Sequence, residues 1–344
     1  MKPEFGNIKP ETIMEIFRAA TSKNRITRAE IAKITGLSVV TVGKVVDALF
    51  SLKILRQTVS LDAVRGRKSR VLSVSGSIYI VVFNLAVPNY TVHICDLTLR
   101  TIETFTYHSN ADYFADENLH FFFEQGGKYV NEKINIQKCC GCAILTPGEY
   151  DDYTDRIINP RNPRLEGLAI HNIFEEYSFG AVAPFIGDIR KFAADTVQET
   201  MHKGASALCV FLDKEQISSC YLRYGDSIES TRFSRFGNVG AGSGKSIEDY
   251  ICRGKNVEQA LQVLSSTLYW IFSVIPVDNI FLTGGLYSDA NALTLLIRER
   301  LAAIHLDQDT DIPDVIGIDC TAAGVRSAAK IIREKWFLKE ILGE

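Results

Sequence analysis

The chain has 344 residues, 38 Lys+Arg against 41 Asp+Glu for a net charge of −3, and 46% hydrophobic content. That length supports two or three domains with sizeable cores, and no apolar run approaches the ~20 residues of a membrane span. With a polar start over Met1–Pro10, these features exclude a membrane protein and predict a cytoplasmic one. Charge is divided unevenly: residues 1–75 hold 14 basic and 6 acidic residues, net +8, which leaves 24 and 35, net −11, for the remainder. A cationic head on an anionic body confines phosphate attraction to one module and argues against a nucleic-acid channel through the body.

A short helix pattern opens the chain. Thr27-Arg28-Ala29-Glu30 is a capping box that starts a second helix, in which Ile31, Ile34 and the later Leu37 are spaced as a buried face. Gly36 stands where a helix C-terminus favours positive φ, and Ser38 is a good N-cap for a third helix over Val39–Leu52. Helix, glycine turn, helix is the helix-turn-helix arrangement, whose second helix leads into the major groove with its N-terminal residues. Val42, Val45, Val46 and Leu49 pack inward in this reading. Ser38, Val40, Thr41 and Lys44, with Asp47 beside them, face outward as candidate base and phosphate contacts.

After Lys53 two β-like runs, Ile54–Ser60 and Arg70–Val74, flank a basic loop and form a wing. Arg65, Arg67 and Lys68 around Gly66 are the candidate minor-groove contacts, because a narrow minor groove has enhanced negative potential. A solvated basic loop is the alternative for these three when the run is taken alone.

From Ile78 the pattern is α/β. Strands are expected at Ile78–Leu85, Tyr90–Leu97 and Thr101–Tyr107, then a helix within Asp112–Ile136 and a strand at Cys139–Thr146. A Pro- and Asn-rich connection runs to Pro163. A strand at Ala181–Ile186 leads into a helix from Asp188, and Leu208–Leu212 with Ile217–Arg223 reads as a hairpin. Helices are expected near Ser246–Cys252, over Val257–Ile275, through Leu293–Ile304 and from Ala322. Strands are expected at Asn279–Thr283 and Asp314–Ile318. The eight cysteines lie in apolar surroundings, Cys139, Cys140 and Cys142 within one strand, and read as reduced core residues rather than disulfides or metal ligands.

Strands followed by a helix, with the theme repeated later, suggest two lobes around a cleft. Pro147-Gly148 after a strand, Asn159-Pro160, Asp188 after a strand, Ile247-Glu248, Gly284-Gly285 after a strand and Ala322-Ala323-Gly324 opening a late helix occur in order. In this the chain resembles the ROK family (repressors, open reading frames and sugar kinases), specifically its transcriptional-regulator branch. The resemblance spans nearly the whole chain. It implies a winged helix-turn-helix over 1–75 and a two-lobed actin-like, ribonuclease H-like sugar-kinase body. The first lobe is expected at 76–190 plus 320–344 and the second at 191–319.

The departures from the family pattern fall on the chemistry. Kinases of the family open the body with a strand ending Asp-Ile-Gly-Gly-Thr, whose backbone amides approach ATP phosphates. Asn84-Leu85-Ala86-Val87-Pro88-Asn89 stands there instead. No glycine occurs between Gly204 and Gly225, where a second phosphate loop is expected, and Asp213-Lys214-Glu215-Gln216 occupies the region. A Gly-x4-Gly-Lys-Ser reading of Gly240–Ser246 fails because Val239 stands at its first glycine. The resemblance aligns Asp188 with the kinase base and Glu248 with a sugar-binding Glu. Each reads equally well as a helix-start residue. Thr231-Arg232-Phe233-Ser234-Arg235 aligns with a Gly-Glu-Ile-Gly-His motif, so that Arg232 and Arg235 replace the sugar Glu and the zinc His. Ala241 and Ser246 replace zinc cysteines, and no zinc is expected.

These readings predict a DNA-binding transcriptional regulator, a repressor of carbohydrate-use genes, without phosphoryl transfer and without a cofactor. The expected partners are an operator duplex and a sugar or sugar-phosphate effector bound by Asp188, Arg232, Arg235 and Glu248. The regulator is expected to act as a homodimer or homotetramer. The competing readings are a sugar kinase with an atypical active site and a ligand-independent dimeric DNA-binding protein.

Overall fold

A computed structural model describes residues 5–59, 70–86, 89–110, 114–158, 163–177, 183–212, 217–226, 233–235, 257–283, 290–304 and 311–343. The head begins with α1 (Pro10–Thr21), whose first position is the proline a helix start tolerates. Ile13, Ile16, Phe17 and Ala20, at helical spacing, are its buried face. In α2 (Arg28–Thr35) the capping box forms as expected: Thr27 Oγ1 accepts from the Glu30 N–H and the Glu30 carboxylate accepts from the Thr27 N–H. Gly36 ends the helix at φ 68°, a conformation that costs other residues about 1 kcal/mol or more. Ser38 caps α3 (Val39–Ser51), whose buried residues are Val42, Val45, Val46 and Leu49.

Ile34 departs from the expected buried face and is 56% exposed. The inward side of α2 is centred between Ile31 and Ala32, both buried. At 100° per residue Ile34 lies about 160° around the helix from Ala32, on its solvent side. The head closes with an antiparallel pair, β1 (Leu55–Val59) and β2 (Arg70–Val74), in register Leu55↔Val74 through Val59↔Arg70.

The body contains two five-stranded sheets. The first joins β3 (Tyr79–Asn84), β4 (Tyr90–Asp96), β5 (Thr101–Tyr107), β6 (Cys139–Thr146) and β9 (Phe185–Asp188) in the order β5-β4-β3-β6-β9. The β3-β4-β5 pairs are antiparallel and the β3-β6-β9 pairs parallel. The second joins β10 (Ser206–Leu212), β11 (Ile217–Arg223), β12 (Ser234–Arg235), β13 (Asn279–Thr283) and β14 (Asp314–Ile318) as β12-β11-β10-β13-β14. Its pairs repeat the same alternation, antiparallel to one side of the central strand and parallel to the other. The two lobes are therefore topological copies.

The helices that cover these sheets are α4 (Ala115–Lys133), α6 (Ile189–Thr200), α7 (Val257–Val274), α8 (Ala290–Ile304) and α9 (Cys320–Trp336). Phe83, Phe122, Phe123 and Phe174 make edge-on and tilted contacts on one face of the first sheet. α9 crosses its other face and packs on α6. At Gly324 a Cβ would lie 2.6 Å from Ile189 Cγ1, so only glycine permits that approach. A π-helical turn, Phe337–Leu342, continues α9.

Three stretches differ from the expectations. The connection to Pro163 holds a small hairpin, β7 (Glu149–Asp151) with β8 (Arg156–Ile158), and is followed by a short helix, α5 (Ile170–Glu175). β9 starts at Phe185 rather than Ala181, since Pro184 has no N–H for the ladder with β6. α9 starts at Cys320 rather than Ala322, because the Asp319 side chain accepts from the Thr321 and Ala322 N–H groups. The helix expected near Ser246–Cys252 lies outside the described residues. Cys95, Cys139, Cys140, Cys142, Cys209, Cys220 and Cys320 are free thiols, and no helix among the described residues is long and apolar enough to cross a membrane.

His93 on β4 sits between the Thr91 hydroxyl, 3.0 Å from Nε2, and that of Thr104, 3.4 Å from Nδ1. Burial, opposed by Asp319, lowers its pKa from 6.5 to about 4. The unfolded chain thus takes up a proton before the folded chain does. Stability is unaffected by this group above pH 6.5 and falls as pH drops from there toward 4, by about 3 kcal/mol in all. His93→Gln is expected to flatten that slope in denaturant titrations repeated across pH.

Candidate functional site

Two sites emerge, one on the head and one between the lobes. α2 and α3 meet at 119° across the break at Gly36–Ser38, the angle of a helix-turn-helix pair. Ser38, Val40 and Lys44 are exposed and Thr41 half-buried, on the leading turns of α3. Ser38 Oγ accepts the Thr41 N–H at 3.1 Å and lies 2.9 Å from Thr41 Oγ1. These two hydroxyls therefore hold the first turn as well as facing outward. Val39 and Val40 are 58% and 71% exposed, an apolar pair suited to thymine methyls.

Asp47, also outward-facing, is not free to repel phosphate: Arg28 of α2 donates to it at 2.5 Å. Arg28 is a head residue that the sequence reading missed. It stands 19 residues from Asp47, and the only local signal was its place in the first turn of α2. Arg65, Arg67 and Lys68 lie outside the described residues, within the segment that joins β1 to β2.

In the body, the parallel strands end together. Asn84, Leu145 and Gly187 share one register row across β3, β6 and β9, and Asp188 follows at the edge. Carboxyl ends of parallel strands are where α/β sheets form their ligand crevices. Asn84 is fully buried. Its Oδ1 accepts the Ala86 N–H at 2.9 Å and its Nδ2 has no partner among the described residues. A neutral amide does not offer the charge that a magnesium ion beside ATP favours, so Asn84 does not fit a nucleotide–metal group.

Asp188 is 2% exposed and caps α6 through the Arg190 N–H at 2.9 Å. The Arg190 guanidinium grips the same carboxylate, with Nε 2.9 Å and Nη2 2.5 Å from Oδ2. From there Arg190 reaches the second lobe, where its Nη1 donates to Ser218 Oγ at 3.2 Å and its Cζ stands 4.6 Å from the Phe233 ring centre. Both Asp188 oxygens are thus engaged, and a sugar hydroxyl would have to displace Arg190 to reach them.

Ser218 pairs with Arg235 across β11 and β12, which brings the backbone of one expected ligand residue beside the clasp around another. The Arg235 side chain, Arg232 and Glu248 lie outside the described residues. So do Ala241 and Ser246, and no cluster of three His, Cys, Asp or Glu residues suited to a metal occurs among the described ones. Arg190, Ser218 and Phe233 are the site residues that sequence reasoning missed. A cation two positions after a helix-capping Asp was the one available signal.

The fold is that of a two-lobed, sugar-kinase-like body with duplicated sheets, carrying a helical head. No family model matches the sequence, and no curated protein matches it. Solved structures do. A ROK family transcriptional regulator, a homologue of the E. coli MLC protein, superimposes with a TM-score of 0.63 at 12% identity, covering 96% of this chain and 100% of that one. A ROK glucokinase from Streptomyces griseus, solved with glucose and AMPPNP, gives 0.56 at 11% identity over 74% and 98%. A ROK family protein from Streptococcus pneumoniae, solved with sucrose, gives 0.52 at 11% identity over 76% and 99%. The chain shares the fold of ROK regulators and ROK sugar kinases alike.

Proposed function

We propose that the chain is a cytoplasmic DNA-binding transcriptional regulator, a repressor of carbohydrate-use genes, whose kinase-like body oligomerises and senses a ligand without transferring phosphate. Residues 1–75 are its winged helix-turn-helix, 76–190 with 320–344 its first lobe and 191–319 its second. The observation that carries this reading is the leading face of α3, exposed at the end of a doubly capped helix pair and followed by a hairpin. Fluorescence anisotropy on duplex DNA across a salt series tests it. Lys44→Ala and Arg67→Ala are each expected to weaken binding and to lower the salt slope by about 1, the loss of one phosphate contact. Slopes equal to wild type would exclude Lys44 and the wing from the interface.

Paired heads about one DNA turn apart suit a two-fold operator. Self-association is supported by Trp270 and Val274, one turn apart on α7 and 70% and 79% exposed. The effector reading assigns an acidic or phosphorylated sugar to the cleft at Asp188, Arg190, Arg232, Arg235 and Glu248, where an anion competes with Asp188 for Arg190. Thermal-shift screening is expected to find stabilisation by sugar acids or phosphates. Stabilisation by neutral hexoses alone would reverse the assignment. The shared fold of the glucokinase keeps one enzyme reading in play, and sugar phosphorylation with ATP separates the two: no turnover is expected.

A further inference from the structure

At the junction of head and body lies a cleft of about 390 Å³, framed by Arg18 and Thr21 of α1, the β4–β5 turn, and Arg326, Lys330 and Arg333 of α9. Its volume is that of a small-metabolite site. Glu199 and Glu334 also line it, and they compensate two of the four cations. Lys330 donates to Asp195 at 2.6 Å and to Glu199 at 2.7 Å. Arg18 grips Glu334 through Nε at 2.9 Å and Nη2 at 2.7 Å.

Arg326 and Arg333 are left over. Arg326 is exposed and makes no hydrogen bond or ion pair among the described residues. Arg333 is 4% exposed. Its Nη1 donates to Thr21 Oγ1 and the Leu97 carbonyl, each at 3.0 Å. Its Nη2 is 3.7 Å from the carboxylate that Arg18 already holds, and its Nε is buried without an acceptor. Leaving a buried donor unpaired costs about 1–3 kcal/mol. Burial, with Arg18 and Arg326 nearby and Glu334 opposing, pushes the Arg333 pKa down to about 10, the response of a cation short of counter-charge.

We propose that this cleft binds a phosphoryl anion between Arg326 and Arg333, with Arg18 as the wall contributed by the head. Guanidinium groups match phosphate oxygens bidentately, and the anion supplies the missing charge. Because α1 forms one wall and α9 another, an occupied cleft fastens the head to the body. The site is separate from the one at Asp188: α6 runs between them, capped by Asp188 and carrying Glu199 near its far end, about 16 Å along the axis.

Calorimetry with inorganic phosphate and with glucose 6-phosphate, at constant ionic strength on the full chain, tests the proposal. Saturable binding to wild type is expected. A stronger response to the ester identifies a phosphate monoester, and a stronger response to phosphate identifies the free ion. Arg326→Gln, at an exposed position, is expected to weaken binding at least tenfold, while Lys128→Gln, an exposed cation on α4, leaves it unchanged. Hydrogen exchange is expected to slow within Pro10–Thr21 when phosphate is added to wild type and not to Arg326→Gln. No saturable binding, equal losses in both variants, or protection confined to the Asp188 end of α6 would each overturn the junction site.

Discussion

Phe337→Ala is expected to destabilise the protein by about 3–5 kcal/mol, the cost of emptying a fully buried aromatic site, and to uncouple the head from the body. Phe337 stacks on Phe17 with ring centres 3.9 Å apart and planes 10° from parallel, and both rings are fully buried. These two rings belong to one apolar cluster that runs from Ile13 and Val46 in the head through Ile80 and Leu145 in the first sheet to Ile332 in α9. The head therefore has no separate core, and it should unfold with the first lobe in a single transition. Loss of the Phe337 ring also removes support from Phe17, over which the Arg333 guanidinium stands at 5.5 Å. Denaturant titration should show the lowered stability, and hydrogen exchange in α1 and α3 should accelerate more than in β3 and β6. Tyr153→Ala, at a side chain 97% exposed, is the control and should stay within about 0.5 kcal/mol of wild type. A Phe337→Ala protein with unchanged midpoint and unchanged exchange in α1 would mean that the head folds on its own.

The head was legible because its signals are local. Thr27, Glu30, Gly36 and Ser38 each act within three or four residues of where they stand, and each does what its chemistry predicts. The central strands of the body were legible as apolar runs, because β3, β6 and β10 are buried on both faces. The two-lobed plan was legible from the repeated order of elements, but the strand order within each sheet was not: Tyr79–Asn84 and Ser206–Leu212 hold the same central place in their sheets with unlike residues. Ile34 misled because three-residue spacing from Ile31 is a buried signal only if the inward side of the helix leans that way. The two polar assemblies that matter most were hidden by distance along the chain. Arg18 meets Glu334 across 316 residues, and Arg190 meets Ser218 across 28.

The Asp188–Arg190 clasp separates a structural carboxylate from a catalytic one by stability alone. Asp188→Asn is expected to cost about 3–5 kcal/mol, because it leaves a buried guanidinium without its counter-charge. The side chains of the pair are 1% and 7% exposed, so water cannot take over the lost role. Arg190→Gln should be similarly costly for the converse reason, a buried carboxylate held only by one backbone N–H. The double variant removes both charges together and should cost less than the two single losses added, by a coupling energy of about 2–3 kcal/mol in a double-mutant cycle. A substrate-facing base behaves differently: its carboxylate waits for a hydroxyl, its removal abolishes turnover, and stability changes by less than about 0.5 kcal/mol. Urea titrations of the four proteins distinguish the two cases without any knowledge of the ligand. If the single variants are as stable as wild type, Asp188 is free for substrate and the kinase reading gains; if the cycle shows strong coupling, the carboxylate serves to tie the end of β9 to the second lobe through Arg190, Ser218 and Phe233. An effector that binds Arg190 would then act by breaking that tie, and its leverage on the lobe arrangement is bounded by its differential affinity for the two arrangements.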